Sequence, residues 1–220
     1  MIKLPDFDRA YEYENDFYLS CDKSRLGKLL AHYELFKMVE NIPGALVECG
    51  VFKGSSLVRF AMMRSLFDNP HSKKIIGFDS FAAFPETNFD ADKKMRENLV
   101  KEAGDQSISA EQLMEVLKNK NCEQNIELIA GDITETIPEY VKKNPDLKIS
   151  FLNLDTDIYE PSVTILENLY PKIETGGVLI LDDYGVFPGE TKAADDYFKD
   201  MNIKIKKFPF SATPCYFIKE

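Results

Sequence analysis

Two apolar-rich runs that end in paired carboxylates constrain the fold of this chain most strongly. Residues 178–181 (VLIL) lead directly into Asp182 and Asp183, and residues 149–154 (ISFLNL) lead into Asp155 and, two positions on, Asp157. Runs of this kind are typical of strands buried on both faces of a parallel sheet. Carboxylates at the carboxyl ends of such strands lie where open α/β sheets bind ligands. The pattern therefore predicts a hard-cation site at two adjacent strand ends.

Composition limits the class of protein. The 220 residues suffice for one domain with a full core, and the apolar (44%) and charged (29%) fractions are those of a globular protein. A net charge of −10 argues against nucleic-acid binding, because phosphate contacts need a basic face. No apolar run reaches membrane-spanning length and the first residues lack signal-peptide features, so we expect no membrane association.

The cysteines and histidines argue against a thiolate or zinc site. The four cysteines are widely spaced without a CxxC pair, which favours reduced thiols in a cytoplasmic protein. The two histidines, His32 and His71, lie in no zinc-binding pattern. We interpret His32 as a surface or packing residue of a helix.

Strand and helix patterns alternate along most of the chain. Residues 1–20 show no clear period, and a helix is predicted from Asp22 or Ser24 to residue 41. Its apolar face is formed by Leu26, Leu29, Leu30, Tyr33 and Phe36. Further strands are predicted at 45–49, 74–79, 126–130, 149–154 and 178–181, with helices at 55–67, 109–120, 134–143, 160–173 and 189–201. This alternation predicts a doubly wound parallel sheet. Two terminal strands, 203–207 and 215–218, follow one another without a helix and predict an antiparallel hairpin at one edge.

Two segments after the first strands are candidate ligand loops. The first turn carries Glu48, Gly50 and Gly54, and such a turn lets the backbone approach a ligand closely. It is not the GxGxxG pattern of dinucleotide binders, and a tight turn without a ligand is an equal alternative. Asp79 ends the second strand, where Rossmann-like folds place a ribose acceptor. The aperiodic stretch 80–90 is either a substrate lid or a surface excursion.

Five phrases, in this order, closely resemble the macrocin O-methyltransferase family of class I S-adenosylmethionine-dependent methyltransferases. They are VECGVFKG at 47–54, GFDSF at 77–81, LDTDIYE at 154–160, GGVLILDDYG at 176–185 and PGETKAAD at 188–195. The resemblance covers residues 24–220, and the combination is more specific than any single motif. It implies a Rossmann-like, mostly parallel seven-stranded sheet closed by the C-terminal antiparallel hairpin. Residues 44–220 would form the methyltransferase domain, and residues 1–43 an N-terminal arm and helix.

The resemblance also implies roles for individual residues. S-adenosylmethionine would lie against a set formed by Glu48, Gly50, Val51, Gly54, Ser55, Asp79, Ser80, Phe81, Asp132 and Ile133. Within that set, Asp79 would accept bonds from the ribose hydroxyls and Asp132 would face the adenine edge. Asp155, Asp182 and Asp183 would hold Mg²⁺, which prefers oxygen ligands and leaves positions for substrate hydroxyls.

The acceptor hydroxyl must also lose its proton, which a carboxylate beside the metal can accept. We expect Asp157 to be the base or a substrate ligand, with Asp155 as the alternative, since residues two apart in an extended segment point the same way. Tyr159, Tyr184 and Glu190 are further candidates for the acceptor pocket.

The function implied is methyl transfer to a hydroxyl of a deoxysugar, either nucleotide-linked or attached to a natural product, by a homodimer or higher homo-oligomer. A catechol or phenolic O-methyltransferase is an alternative, although its usual Asp-Asn pair is replaced here by Asp182 and Asp183. A non-catalytic nucleotide-binding module or a nucleotide-sugar dehydrogenase are alternatives of other classes. The absent GxGxxG and the terminal hairpin argue against a nicotinamide cofactor.

Overall fold

The sheet of this protein is built from strands that alternate with helices in the computed structural model, which describes residues 2–220. The strands are β1 (Ala45–Cys49), β2 (Ile75–Asp79), β3 (Ile126–Ala130), β4 (Ile149–Leu154), β5 (Ile173–Leu181), β6 (Lys206–Lys207) and β7 (Cys215–Ile218). The helices are α1 (Ala10–Ser20), α2 (Lys23–Met38), α3 (Ser55–Phe67), α4 (Asp90–Ala103), α5 (Ala110–Asn119), α6 (Ile133–Lys143), α7 (Tyr159–Leu169) and α8 (Pro188–Phe198). Short 3-10 turns at Phe7–Arg9 and Tyr170–Lys172 precede α1 and β5.

The strand order is β3-β2-β1-β4-β5-β7-β6. The first five strands are parallel, and β7 pairs antiparallel with both β5 and β6. The predicted seven-stranded, doubly wound fold with its C-terminal hairpin is therefore confirmed. The order reverses between β1 and β4, and the carboxyl ends of strands at such a switch point border a crevice.

Both faces of the sheet are covered by helices, which explains the continuous apolar runs in β4 and β5. One core layer includes Ile137 of α6, Leu166 of α7 and Phe198 of α8. The opposite layer includes Leu35 of α2 and Leu113 of α5. Every residue of β4 is buried, as expected for a central parallel strand.

Two helices were not predicted. Residues 10–20, expected to be irregular, form α1, and residues 90–103 form α4. The prediction failed because neither helix has the apolar stripe that marks an amphipathic helix. None of the residues of α1 is buried, and Asp92 is the one buried residue of α4.

Helix α2 begins where predicted, but its buried face overlaps the predicted one only in part, at Phe36. Asp22 is its N-cap, and the Asp22 side chain accepts a hydrogen bond from the Ser24 amide at 2.8 Å. The buried residues are Gly27, Ala31, His32, Leu35 and Phe36. Leu26 and Leu30, assigned to the apolar face, are 37% and 42% exposed. A small residue is needed at 27 because a Cβ there would lie 2.9 Å from the Phe210 carbonyl oxygen of the C-terminal loop.

Other boundaries differ by a few residues. The capping box of α5 is confirmed, with Ser109 and Gln112 each accepting a hydrogen bond from the other's amide. Strand β5 begins at Ile173, before the glycine pair, and β6 is limited to Lys206–Lys207.

Among residues 2–220, no helix has the length and apolar character required to cross a membrane.

Candidate active site

A cleft of about 930 Å³ lies at the carboxyl ends of the central strands. Eleven of the residues proposed from the sequence line it: Gly50, Val51, Ser55, Asp79, Ser80, Asp132, Ile133, Asp155, Asp157, Asp182 and Asp183. Segments following β1, β2, β3, β4 and β5 therefore meet at one site, as their positions at strand ends predicted. The remaining wall comes from α2, α3 and the segment between β2 and α5.

Gly50 permits the close approach of the ends of β1 and β4. Its φ is +92°, and a Cβ at this position would lie 1.7 Å from the carbonyl oxygen of Asp155. The Asp155 amide in turn donates to the Cys49 carbonyl at 2.9 Å. A side chain at residue 50 would therefore displace Asp155 from the cleft.

Asp79 joins the first turn to the end of β2. Its Oδ2 accepts a hydrogen bond from the Phe52 amide at 2.9 Å, and its Oδ1 accepts one from the Phe81 amide at 2.7 Å. The Ser80 hydroxyl also donates to Oδ1 at 3.3 Å. Oδ2 can accept a further bond, so the carboxylate is held in place and can still receive a ligand hydroxyl. The arrangement fits the ribose-binding role expected for Asp79.

Asp132 has a structural role at the adjacent strand end. Its Oδ1 accepts hydrogen bonds from the Thr134 amide at 2.8 Å and the Thr134 hydroxyl at 2.7 Å, which caps α6. The residue also lines the cleft, next to Ile133. Capping through Oδ1 leaves Oδ2 as a candidate acceptor for a ligand at this end.

Three carboxylates converge at the centre of the cleft. Asp155, Asp157 and Asp183 each offer an oxygen, and these oxygens lie within 4.8 Å of one another. Burial raises the pKa of Asp155 well above its usual range, and the charge of Asp182 raises it further. Burial and the neighbouring Asp183 do the same to the pKa of Asp157. A cation bound among these oxygens would favour their ionised forms, so the cluster fits a hard divalent ion such as Mg²⁺.

Asp182 differs from its neighbours because it is paired with a cation of the chain. Lys28 Nζ donates to Asp182 Oδ2, and His32 Nε2 lies 3.6 Å from Asp182 Oδ1. Burial alone would raise the pKa of Asp182, but Lys28 and His32 outweigh it and hold that pKa below its usual value.

The expected metal set of Asp155, Asp182 and Asp183 stays a prediction. All three residues line the cleft, and the structure adds Asp157 beside Asp155 and Asp183, while Asp182 is paired with Lys28. Helix α2 packs over the end of β5 and brings the ammonium group of Lys28 to Asp182. Asp157 adopts a left-handed conformation with φ of +64°, and the extended geometry assumed for residues 155–157 does not hold.

Six predicted site residues do not line the cleft. Glu48, Gly54, Phe81, Tyr159, Tyr184 and Glu190 lie behind or beside its wall. Glu48 is 1% exposed and accepts a bond from the Ser56 hydroxyl. Glu190 is fully buried, and its Oε1 accepts from the Asp183 amide at 2.9 Å. It therefore supports the carboxylate cluster from behind.

The two tyrosines are turned towards α8. The Tyr184 hydroxyl donates to Asp195 at 2.7 Å, and the Tyr159 hydroxyl donates to Asp196 at 3.3 Å. The expectation that these rings and Glu190 form the acceptor pocket is not met by their positions. The fixed turns after β4 and β5 direct the side chains at residues 159 and 184 onto the surface of α8.

Four basic residues of the cleft were missed, one of which is Lys53 in the first turn. Arg25 and Lys28 of α2 and Arg59 of α3 line it, and Arg59 Nη1 lies 2.8 Å from Nδ1 of the buried His32. His32 also packs against the ring of Phe60, with centroids 5.0 Å apart. The packing alternative for His32 is thus the correct one. A usable signal existed, because positions 25, 28 and 32 share one face of a helix.

The strand order and the cleft at its switch point define a class I methyltransferase fold. Sequence comparison identifies the family within that class. The chain matches the Macrocin-O-methyltransferase (TylF) family over residues 18–219 and belongs to this family.

Two O-methyltransferases of actinomycete species are similar to most of this chain. Demethyldecarbamoylnovobiocin O-methyltransferase of Streptomyces niveus is 30% identical over 166 residues, which cover 71% of this chain and 59% of the relative. Mycinamicin III 3''-O-methyltransferase of Micromonospora griseorubida is 26% identical over 165 residues, covering 72% and 61%. The matched region thus spans about three fifths of the length of these relatives.

Solved structures agree on the fold. The calicheamicin methyltransferase CalS11 superposes with a TM-score of 0.79 at 28% identity, covering 94% of this chain and 84% of that one. The O-methyltransferase NovP gives a TM-score of 0.74 at 26% identity, covering 87% and 78%.

Proposed function

We propose that this protein transfers a methyl group from S-adenosylmethionine to a hydroxyl of a deoxysugar, with Mg²⁺ held by the carboxylate cluster. The observation that carries the proposal is the convergence of Asp155, Asp157 and Asp183 in the cleft beside the β1 and β2 turns. Family membership supports the reaction class, and the name of a further relative in Streptomyces olivaceus, a 4'-O-methyltransferase of a rhamnosyl-bearing tetracenomycin, supports a sugar acceptor.

The cofactor would lie along the edge formed by the segments after β1, β2 and β3. Bound there, S-adenosylmethionine supplies an electrophilic methyl group on a sulfonium. Asp79 would receive the ribose hydroxyls, since two backbone amides already fix its carboxylate. Asp132 and Ile133 line the end of the cleft where the adenine would lie.

The carboxylate cluster would orient the acceptor. Mg²⁺ bound by Asp155, Asp157 and Asp183 would lower the pKa of a coordinated hydroxyl. The proton must pass to a carboxylate within reach, and Asp157, with Asp155 as the alternative, is the candidate acceptor in the cluster. Most of the rate enhancement for an in-line displacement of this kind comes from positioning.

The direct experiment is a screen of nucleotide-linked deoxysugars for methyl acceptance, with calorimetry for cofactor binding. We expect S-adenosylmethionine to bind and at least one sugar to be methylated, with activity lost in EDTA and restored by Mg²⁺. Binding of NAD in place of S-adenosylmethionine would end the methyltransferase proposal. Full activity in the presence of EDTA would contradict the proposed role of Mg²⁺.

Variants of the cluster would separate the two candidate bases. Asp157→Asn and Asp155→Asn should both retain S-adenosylmethionine binding. The variant of the base should show a lowered kcat that rises with pH less steeply than that of the native enzyme. We also propose a homodimer or higher homo-oligomer, which light scattering after gel filtration would measure.

A further inference from the structure

Asp92, the one buried residue of α4, caps two other helices at once. Its Oδ1 accepts a hydrogen bond from the Gly189 amide at 2.7 Å, and its Oδ2 accepts one from the Tyr159 amide at 3.0 Å. These amides lie in the first turns of α8 and α7. The N-cap positions of the two helices are held by Phe187 and Ile158, whose side chains have no acceptor. One carboxylate therefore satisfies two helix N-termini, a favourable location for negative charge.

Contacts from α7 to the segment that precedes α4 reinforce this junction. Glu160, in the first turn of α7, accepts hydrogen bonds from the Thr87 hydroxyl at 3.0 Å and the Asn88 amide at 2.9 Å. The Phe89 ring stacks on Tyr159 with centroids 5.0 Å apart. We call the set of Asp92, Glu160 and their four hydrogen-bond partners the α4 latch.

The close fit at Gly189 shows that the junction tolerates no additional atoms. A Cβ at residue 189 would lie 2.0 Å from Asp92 Oδ2 and 2.5 Å from the Tyr159 nitrogen. Glycine is therefore required at this position for the two helix starts and the carboxylate to meet.

The latch borders the groups that hold the carboxylate cluster. Tyr159 follows Asp157 by two positions, and Gly189 directly precedes Glu190. The Glu190 amide donates to the Asp157 carbonyl at 3.2 Å, while Glu190 Oε1 accepts from the Asp183 amide at 2.9 Å. A shift of either helix start would move Asp157 and Asp183 relative to each other.

The same segment forms a wall of the cleft. Residues 84–86, Asn88 and, on α4, Leu99, Glu102 and Ala103 line it. From this geometry we infer that Asp92 is a positioning residue, which couples the wall formed by residues 84–103 to the geometry of Asp157 and Asp183. Only the kinetic consequences of this inference rest on the proposed function.

Asp92→Asn is the first test, because asparagine has nearly the same shape but one acceptor oxygen for two amide donors. We expect kcat to fall about tenfold to a hundredfold, as is common when a group that supports metal ligands is altered. The Mg²⁺ concentration for half-maximal activity should rise, and the Kd of S-adenosylmethionine should stay unchanged. Asp90→Asn is the matched control, since Asp90 lies on the same helix, is exposed and pairs with Lys93. This control should behave as the native enzyme.

A readout that needs no turnover is amide hydrogen exchange at Tyr159 and Gly189, which should be faster in Asp92→Asn and unchanged in Asp90→Asn. Gly189→Ala and Glu160→Gln disturb the latch from the other side and serve if Asp92→Asn does not fold. Combining Asp92→Asn with Glu160→Gln should give a smaller loss than the two single losses multiplied, because both belong to one junction.

Native exchange rates and native kinetics in Asp92→Asn would overturn the inference. An equal loss of cofactor binding and kcat would do so too, because it would indicate general destabilisation. If the native protein methylates no sugar, the proposed function fails, while the exchange difference still decides whether the latch exists.

Discussion

Lys28 on α2 donates a hydrogen bond to Asp182 at the end of β5, 154 positions further along the chain. Asp182 has no exposed side-chain area, and Lys28 keeps 23% of its side chain exposed. Burial lowers the pKa of Lys28, but the carboxylates Asp155 and Asp182 outweigh it together and raise that pKa above its usual value. A helix that precedes the sheet in sequence therefore supplies the counter-charge at its ligand edge.

The first prediction concerns Lys28→Met. Removing one partner of a buried pair typically costs roughly 3–5 kcal/mol, because the other charge is left uncompensated. We expect a lower free energy of unfolding in urea without Mg²⁺ and a larger stabilisation by Mg²⁺ than in the native protein, since the cleft gains negative charge. Lys23→Met, at the exposed start of the same helix, should change neither quantity. Equal stabilisation of Lys28→Met and native protein by Mg²⁺ would contradict this account.

A second prediction compares two glycines with similar φ values. Gly50 (φ +92°) faces the Asp155 carbonyl, whereas a Cβ at Gly185 (φ +83°) would meet nothing within 4 Å. Gly185→Ala should cost about 1–2 kcal/mol from backbone strain alone. Gly50→Ala adds a collision with the Asp155 backbone directly after β4 and should be markedly less stable and inactive. Thermal unfolding and the methyl-transfer assay measure both, and equal losses in the two variants would refute the close-approach role of Gly50.

The pH dependence of stability provides a third prediction. Burial raises the pKa of Glu48 from 4.5 to about 8, although the hydrogen bond from Ser56 opposes this, and Asp182, Arg59 and Lys28 act with smaller and mixed effects. The folded state then binds a proton that the unfolded chain releases above pH 4.5, so this contribution to stability is lost as pH rises from about 4.5 to about 8.

Glu48→Gln should therefore lose less stability than the native protein between pH 5 and pH 8, as measured by urea unfolding across that range. The buried carboxylates of the cleft contribute equally to the native and Glu48→Gln curves, so the difference between the two curves isolates Glu48. Parallel curves would show that Glu48 is ionised in the folded state.

A fourth prediction follows from the hydroxyl groups of Tyr184 and Tyr159. The hydrogen bond to Asp195 raises the pKa of Tyr184 to about 12, and burial adds to the effect. Because both hydroxyls contact α8 outside the cleft, Tyr184→Phe and Tyr159→Phe should keep the KM of the acceptor and kcat within about twofold. Each should lose about 1 kcal/mol of stability or less, the usual net value of one hydrogen bond. A tenfold rise in the KM of the acceptor would show that the tyrosines contribute to the acceptor pocket.

The sheet could be predicted from the sequence because its signals are local. Buried parallel strands appear as continuous apolar runs, and β4 and β5 have them. The terminal hairpin was predicted from the missing helix before residues 215–218, and the convergence of the carboxylates from their positions after the strands. Helices α1 and α4 were not predicted because α1 is rich in exposed aromatic residues and α4 in charged ones, so no apolar period marks either helix.

The partners within the site could not be predicted, since they depend on packing between distant segments. Asp182 looks like Asp183 in the sequence, yet α2 brings Lys28 to the former. Asp92 is one acidic residue among many on a charged helix, and its two amide partners lie 67 and 97 positions away. Local patterns identify which residues are at strand ends, whereas the distribution of charge among them is a tertiary property.

The exposed helix α1 has a consequence for how the chain can vary. Ile2 and Leu4 pack against the core, the Ile2 carbonyl accepts a bond from Gln112 at 2.7 Å, and Asp22 then starts α2. The segment between these anchors is a surface segment attached at both ends. The entropic cost of closing such a segment rises by only about 0.6 kcal/mol for each doubling of its length. The family match begins at residue 18, near the end of the helix. Residues 7–20 are therefore where an inserted peptide tag or a change of length should be accepted, while the sheet and its cleft remain as they are.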